Sequence, residues 1–248
     1  MFVYYLITRW KELGKINGKE YIVKTIVTTE TIKTIAERNG VEMYDVYTGF
    51  KWIANVMREN EGKKNYIGGG EESYGFLCED FVRDKDAVSA CVILAEIAAW
   101  AKDQGLSLYQ LLQKIYVEYG FSKEKGISVV KKGKSGAEEI EAMMKKFREN
   151  PLTEIAGSKV TYFYDYSTLK GKDYAENETV TLDMPTTSNV LQYFTEDNTK
   201  VSIRPSGTEP KIKFYMEVQG EMGCRNCFAS ADAAAMEKIE AVKKSLGI

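Results

Sequence analysis

Histidine is absent from all 248 residues. That absence removes Ser-His-Asp triads, Cys-His dyads and histidine-ligated zinc from consideration. Cysteine is scarce: Cys78, Cys91, Cys224 and Cys227 are too few to form a disulfide scaffold in a chain this long, which fits a reducing cytoplasm. An excess of one charge is also lacking. With 34 basic and 36 acidic residues interspersed, the net charge of −2 gives no footprint for a nucleic acid or an anionic membrane, so a small-molecule partner is expected. Long apolar runs are missing too. Phe2 to Ile7 is broken by Thr8 and Arg9, too short for a signal segment or a membrane span, and reads as part of a core helix.

What is present is ordinary globular material. Hydrophobic residues at 44% and charged residues at 28% exclude a disordered chain, and the length suggests two domains. Helical spacing from Phe2 to Lys15 is followed by the β-branched strand Tyr21 to Thr29, a helix at Thr31 to Arg38, a short strand at Val41 to Val46 and a loop-to-helix passage at Thr48 to Ile53. This alternation predicts an α/β layer. A helix capped by Asp84 and reaching about Lys102 would bury Val88, Cys91, Val92, Ala95 and Ala99 on one apolar face. A second helix follows Ser107, and a third, opened by Ser135 and Glu138, would bury Ile140, Met143, Met144 and Phe147. Three successive helices ending at Asn150-Pro151 place a domain boundary there. Beyond it, strands at Lys159 to Tyr166, Lys200 to Arg204 and Lys211 to Val218, with a polar loop at Ser167 to Glu178 and a last helix, predict a small α+β domain with an antiparallel sheet.

Four stretches have chemical potential. In Arg204-Pro-Ser-Gly-Thr-Glu-Pro-Lys-Ile-Lys213 an arginine fork, the hydroxyls of Ser206 and Thr208, the backbone at Gly207 and the cation of Lys213 suit an anion. An ordinary Pro/Ser/Gly turn accounts for it equally well. In Gly68-Gly-Gly-Glu-Glu-Ser-Tyr-Gly75, a carboxylate can accept from adjacent sugar hydroxyls, making Glu71, Glu72 and Ser73 candidate sugar ligands on a flexible glycine loop; a solvated acidic loop is the alternative. No Gly-Lys-Ser/Thr follows these glycines, which disfavours nucleotide binding. Lys51, in Thr48-Gly-Phe-Lys-Trp-Ile53, sits at a loop mouth, where a plain surface lysine is also expected. Cys224-Arg-Asn-Cys227 has redox or zinc spacing without a second pair or a histidine to complete a metal site.

Taken in order, TGFKWI, GGGEESYGF, the Arg83-Asp-Lys-Asp86 helix entry and RPSGTEPKIKFY resemble the α-D-phosphohexomutase family through nearly the whole chain, nearest to its phosphoglucomutase and phosphopentomutase branch. In that family four domains surround a cleft, and this chain is similar to the third and fourth. The resemblance implies a three-layer α/β domain with a mixed sheet at residues 1–152, beginning after its first strand, and a smaller α+β domain with an antiparallel sheet at residues 153–248. Carried across by motif, it implies that Glu71, Glu72 and Ser73 bind sugar, that Arg204, Ser206, Gly207, Thr208 and Lys213 bind phosphate, and that Lys51 faces the reacting phosphoryl group as the catalytic candidate. The family's phosphoserine loop and its magnesium-binding Asp loop have no counterpart here. The resemblance therefore places Mg2+ in the N-terminal domains of a longer enzyme and no metal in this chain. Glucose 1,6-bisphosphate is implied as intermediate or activator, and a phosphosugar as substrate; this part would bind without turning over. A non-catalytic phosphosugar-binding module and a mannose or pentose phosphate substrate remain open.

Overall fold

The computed structural model describes every residue except Lys132 and Thr208, together with the side chain of Lys134. The chain forms two compact units, Met1–Phe121 with Met222–Phe228, and Ser122–Glu221 with Ala229–Ile248.

In the first unit α1 (Phe2–Glu12), β1 (Glu20–Thr25), α2 (Thr31–Arg38), β2 (Glu42–Val46), α3 (Phe50–Asn60), β3 (Asn65–Gly70), β4 (Phe76–Cys78), α4 (Ala87–Asp103) and α5 (Leu108–Tyr119) follow one another. The sheet order is β2-β1-β3-β4, with β1 parallel to both β2 and β3 and β4 antiparallel to β3, so the sheet is mixed. All six residues of β1 are buried, as befits a strand covered on both faces. Successive side chains of a strand point to opposite faces. Ile22 and Ile67 accordingly join Tyr5, Ile35, Ile97, Leu111 and Ile115 in one core, while Tyr21, Val23 and Tyr66 join Phe50, Ile53 and Met57 in another. Helices thus cover both faces in three layers.

Two sequence expectations change here. The glycine run at 68–70 is no flexible loop but the end of strand β3. A Cβ on Gly69 would lie 1.9 Å from the Val23 carbonyl oxygen, and one on Gly70 2.1 Å from that of Gly75. The glycines permit close backbone approach. On α4 the expected core face is the outer one: Val88 is 75% and Val92 61% exposed, whereas Ile97 and Ala101 are buried. This helix is apolar nearly all round, so its periodicity does not choose a side. Its cap is Asp86, accepting from the N–H groups of Val88 and Ser89, rather than Asp84.

The second unit takes up β5 (Phe121–Val130), α6 (Gly133–Glu149), β6 (Glu154–Ile155), β7 (Ser158–Asp165), β8 (Lys170–Asp173), β9 (Glu178–Thr181), β10 (Leu191–Thr195), β11 (Lys200–Pro205), β12 (Lys211–Gly220) and, after a 3₁₀ turn at Arg225–Cys227, α7 (Phe228–Leu246). Its sheet runs β5-β12-β11-β10-β7-β8-β9, with β6 on β7; the pairs from β12 to β9 are antiparallel. The division between units therefore falls at 121/122, not near 151. Because β5 pairs with β12 and α6 packs on β12, the third expected helix belongs to the second sheet. Ile140, Met144 and Phe147 of α6 are buried as expected, the Phe147 and Phe214 rings lie 6.4 Å apart, and Tyr193 donates to the Phe147 carbonyl at 3.0 Å.

Candidate functional site

The chain runs from β1 outward to β2 and then returns past β1 to β3, so the strand order reverses between β1 and β3. Crevices that accept ligands open at the carboxyl ends of strands where the order reverses. The loops after β2 and β3 at that edge carry the Thr48-Gly49 and Glu71-to-Gly75 motifs.

These two loops are fastened together. The Gly49 N–H donates to Oε1 of Glu71 at 2.5 Å, and the Glu71 N–H donates to the Gly75 carbonyl at 2.7 Å. One oxygen of Glu71 is thus engaged within the protein. Glu72 and Ser73 are exposed, with Ser73 Oγ 3.4 Å from Oε1 of Glu72. Tyr74 is fully exposed at the loop tip with φ of 54°, a left-handed conformation rare for an aromatic residue.

Lys51 opens α3 beside this loop, its Nζ 4.9 Å over the Trp52 ring. It lines an open groove of about 580 Å³ with Ala54, Asn55, Arg58, Glu61 and Arg83. Sequence reasoning missed Arg58; its spacing from Lys51 along α3 was the available signal.

Sequence reasoning also missed Lys24, which is buried at the end of β1 with Nζ 2.7 Å from Asp45 and 2.9 Å from Glu30. Burial pushes its ammonium down, but Asp45 and Glu30 together pull it further up, so it stays protonated beyond the ordinary lysine range. A lysine directly after the apolar run Tyr21 to Val23 was the signal.

In the second unit β11 and β12 are joined by the Ser206 to Pro210 turn. Arg204 and Lys213 stand directly opposite each other in the ladder, and neither is in an ion pair among the described residues. Like charges at directly opposed positions repel, an arrangement that an anion relieves. The Ser206 N–H donates to the Lys211 carbonyl at 2.8 Å, and Ser206 Oγ accepts from the Glu209 N–H at 3.3 Å. The Lys131 N–H donates to the Pro210 carbonyl at 2.9 Å, tying the turn to the segment that enters α6. Nothing lies within 4 Å of where a Gly207 Cβ would stand, so space in front of the turn is open. Behind it a cleft of about 560 Å³ is lined by Met144, Arg148, Pro205, Ser206 and Lys211. Thr208, the remaining expected phosphate ligand, lies outside the described residues.

Cys224 and Cys227 form a disulfide, one of the outcomes their spacing left open. Among the described residues no group of three carboxylate or thiolate side chains converges as a metal site, and no helix is long and apolar enough to cross a membrane.

Comparison with known proteins places both units in one family. Residues 1–119 match the model of phosphoglucomutase/phosphomannomutase alpha/beta/alpha domain III, and residues 128–234 match that of the phosphoglucomutase/phosphomannomutase C-terminal domain. The phosphoglucomutase of Staphylococcus haemolyticus is 35% identical over 213 residues, 86% of this chain and 38% of that protein. That of Staphylococcus aureus is 39% identical over 198 residues, 80% of this chain and 36% of its own length. Two solved structures share the fold. The open form of the Paramecium phosphoglucomutase parafusin has a TM-score of 0.58 at 17% identity, covering 99% of this chain and 42% of that one. A phosphoglucomutase/phosphomannomutase family protein of Burkholderia thailandensis has a TM-score of 0.52 at 16% identity, covering 99% and 42%. The chain belongs to the phosphoglucomutase/phosphomannomutase family, as its domain III and C-terminal domain. It spans little more than a third of the length of these curated relatives.

Proposed function

We propose that this chain is the sugar- and phosphate-recognising part of a phosphohexomutase that interconverts hexose 1-phosphate and hexose 6-phosphate, with glucose as the first candidate sugar, through a hexose 1,6-bisphosphate. The observation that carries the reading is the opposed pair Arg204 and Lys213 at the mouth of an open serine- and glycine-bearing turn. Two cations at one such turn suit the phosphate that is held while the other is transferred.

In this reading Arg204, Ser206, Gly207, Thr208 and Lys213 grip that phosphate, and Glu72, Ser73 and the second oxygen of Glu71 accept from or donate to the sugar hydroxyls. A sugar hydroxyl oxygen attacks the phosphorus of a phosphoserine supplied by the rest of the enzyme. The phosphorus–serine oxygen bond breaks, and the hydroxyl proton leaves to a base. Lys51 offsets the charge that develops on the transferred group. Magnesium, when bound in the longer enzyme, would neutralise phosphoryl charge; the residues described here do not fit such a site. The catalytic contribution of this chain is orientation and charge neutralisation.

The test is a calorimetric titration of the chain with glucose 1-phosphate, free glucose and the Arg204→Ala variant. Binding of glucose 1-phosphate that is absent with glucose and weakened at least about tenfold by Arg204→Ala supports the reading, since a charge-assisted contact contributes that much. Equal binding by wild type and variant overturns it.

A further inference from the structure

We infer that the groove along α3 is a second anion site, which takes a phosphate monoester through Arg58 and Arg83 and leads to Lys51. The choice of ligand rests on the phosphosugar reading above; the groove itself is read from its own residues.

Lys51, Asn55 and Arg58 occupy one face of α3, and Arg83 reaches the same groove from the segment between β4 and α4. Three cations face a single carboxylate, Glu61, in a chain whose overall charge is −2. Cations thus predominate among the residues that line the groove, although the chain as a whole is slightly acidic. Both arginines are held in place: Arg58 Nη2 donates to Oδ1 of Asn55 at 2.8 Å, and Arg83 Nη2 lies 3.2 Å from Oε1 of Glu61. Neither the exposed Arg83–Glu61 ion pair nor the exposed Arg58–Asn55 hydrogen bond adds much to stability, so stability does not account for the arrangement. Each guanidinium carries five N–H donors in a planar fork, of which one such contact occupies a part, and the rest match the paired oxygens of a phosphate. Lys51 and Arg58 are about 10 Å apart along the helix axis at 1.5 Å per residue, a span that a phosphorylated sugar bridges and an inorganic phosphate does not. A phosphosugar held at Arg58 and Arg83 would therefore place its ring toward Lys51 and the Glu71-to-Gly75 loop.

The test is equilibrium dialysis of the 248-residue chain against inorganic phosphate at low ionic strength. Two saturable phosphates per chain are expected. Arg58→Gln combined with Arg83→Gln should remove one and leave the other unchanged, and Arg204→Gln should remove the other. Glu61→Gln, which deletes the competing carboxylate, should tighten the groove site about threefold, an effect opposite in sign to any damage to the fold. Melting temperatures within about 2 °C of wild type would confirm folded variants, as surface substitutions change stability little. Unchanged phosphate stoichiometry and affinity in the Arg58/Arg83 variant overturn the inference. If that variant loses a phosphate while Arg204→Gln loses none, the groove stands and the phosphate assignment of the β11–β12 turn falls.

Discussion

The Gly49 N–H and the Glu71 carboxylate meet at 2.5 Å, so a hydrogen bond joins the loop that delivers Lys51 to the loop that carries the sugar candidates. Glu71→Ala removes the acceptor and leaves the Gly49 N–H to water. Amide exchange at Gly49 should then speed up about tenfold or more, since a hydrogen bond to a charged group contributes about 1.5–3 kcal/mol. Glu71→Gln keeps an acceptor oxygen and should give a smaller change. Equal exchange rates in all three proteins would show that the contact does not hold the loops together.

Gly69 is set against the Val23 carbonyl, where a methyl group would overlap by more than an ångström. Gly69→Ala should force β1 and β3 apart and destabilise the first unit by several kcal/mol, in the range of severe overpacking. Gly207→Ala, where the space is open, should leave the melting temperature near wild type. Comparing the two by thermal melting separates a packing glycine from one in open space.

Lys24→Met leaves Asp45 and Glu30 without their buried cation. Because both carboxylates are partly exposed, the loss should be about 2–3 kcal/mol, below the usual figure for breaking a buried pair. The folded ammonium titrates above the ordinary value of 10.5, so its contribution is full below that value and is lost as pH rises through the folded one. Stability measured from pH 9 upward should fall more steeply for wild type than for Lys24→Met.

Asp197 titrates in the opposite sense. Burial raises its carboxyl, but hydrogen bonds from Lys238, Thr195 and Thr199 outweigh this and hold it down at about 2, against 3.8 ordinarily. A depressed carboxylate contributes stability above its unfolded value and loses it as pH falls toward the folded one. Asp197→Asn should therefore show a shallower decline in melting temperature between about pH 4 and 2, the window those two values define.

The Cys224–Cys227 bridge closes a very short loop, so the chain-entropy model gives it about 2 kcal/mol at most. Reduction by dithiothreitol should lower the melting temperature by only a few degrees. A collapse on reduction of the first unit, to which Met222–Phe228 belongs, would contradict this.

Much of the fold was legible because local pattern and tertiary role agree. Thr31 to Arg38 is helical at its expected limits, and β11 and β12 flank the Arg204 turn as their β-branched and aromatic residues required. The failures have physical causes. Phe121 to Val130 went unread because Lys123, Glu124, Lys125 and Gly126 interrupt its apolar pattern; only its pairing with β12 makes it a strand. The boundary error followed from that omission. The polar stretch after Tyr166 contains β8 and β9, whose Lys and Glu residues suit a strand near the sheet margin but not a sequence pattern. At the candidate site, motif order marked the segments around Gly49 and Glu71, yet it did not show that Gly68 to Gly70 finish a strand or that Glu71 spends an oxygen on Gly49, because those contacts join residues far apart in the chain.

The return of Met222–Phe228 to the first unit, before α7 completes the second, means that neither unit is an uninterrupted stretch of gene. A stop codon after Phe121 would deprive Tyr109, Tyr116 and Phe121 of the Phe228 ring, whose centroid lies 5.4, 6.3 and 5.9 Å from theirs. Recombination that exchanges one unit for a homologue's must carry two separate segments, and a single crossover at this seam yields a hybrid aromatic cluster in every progeny.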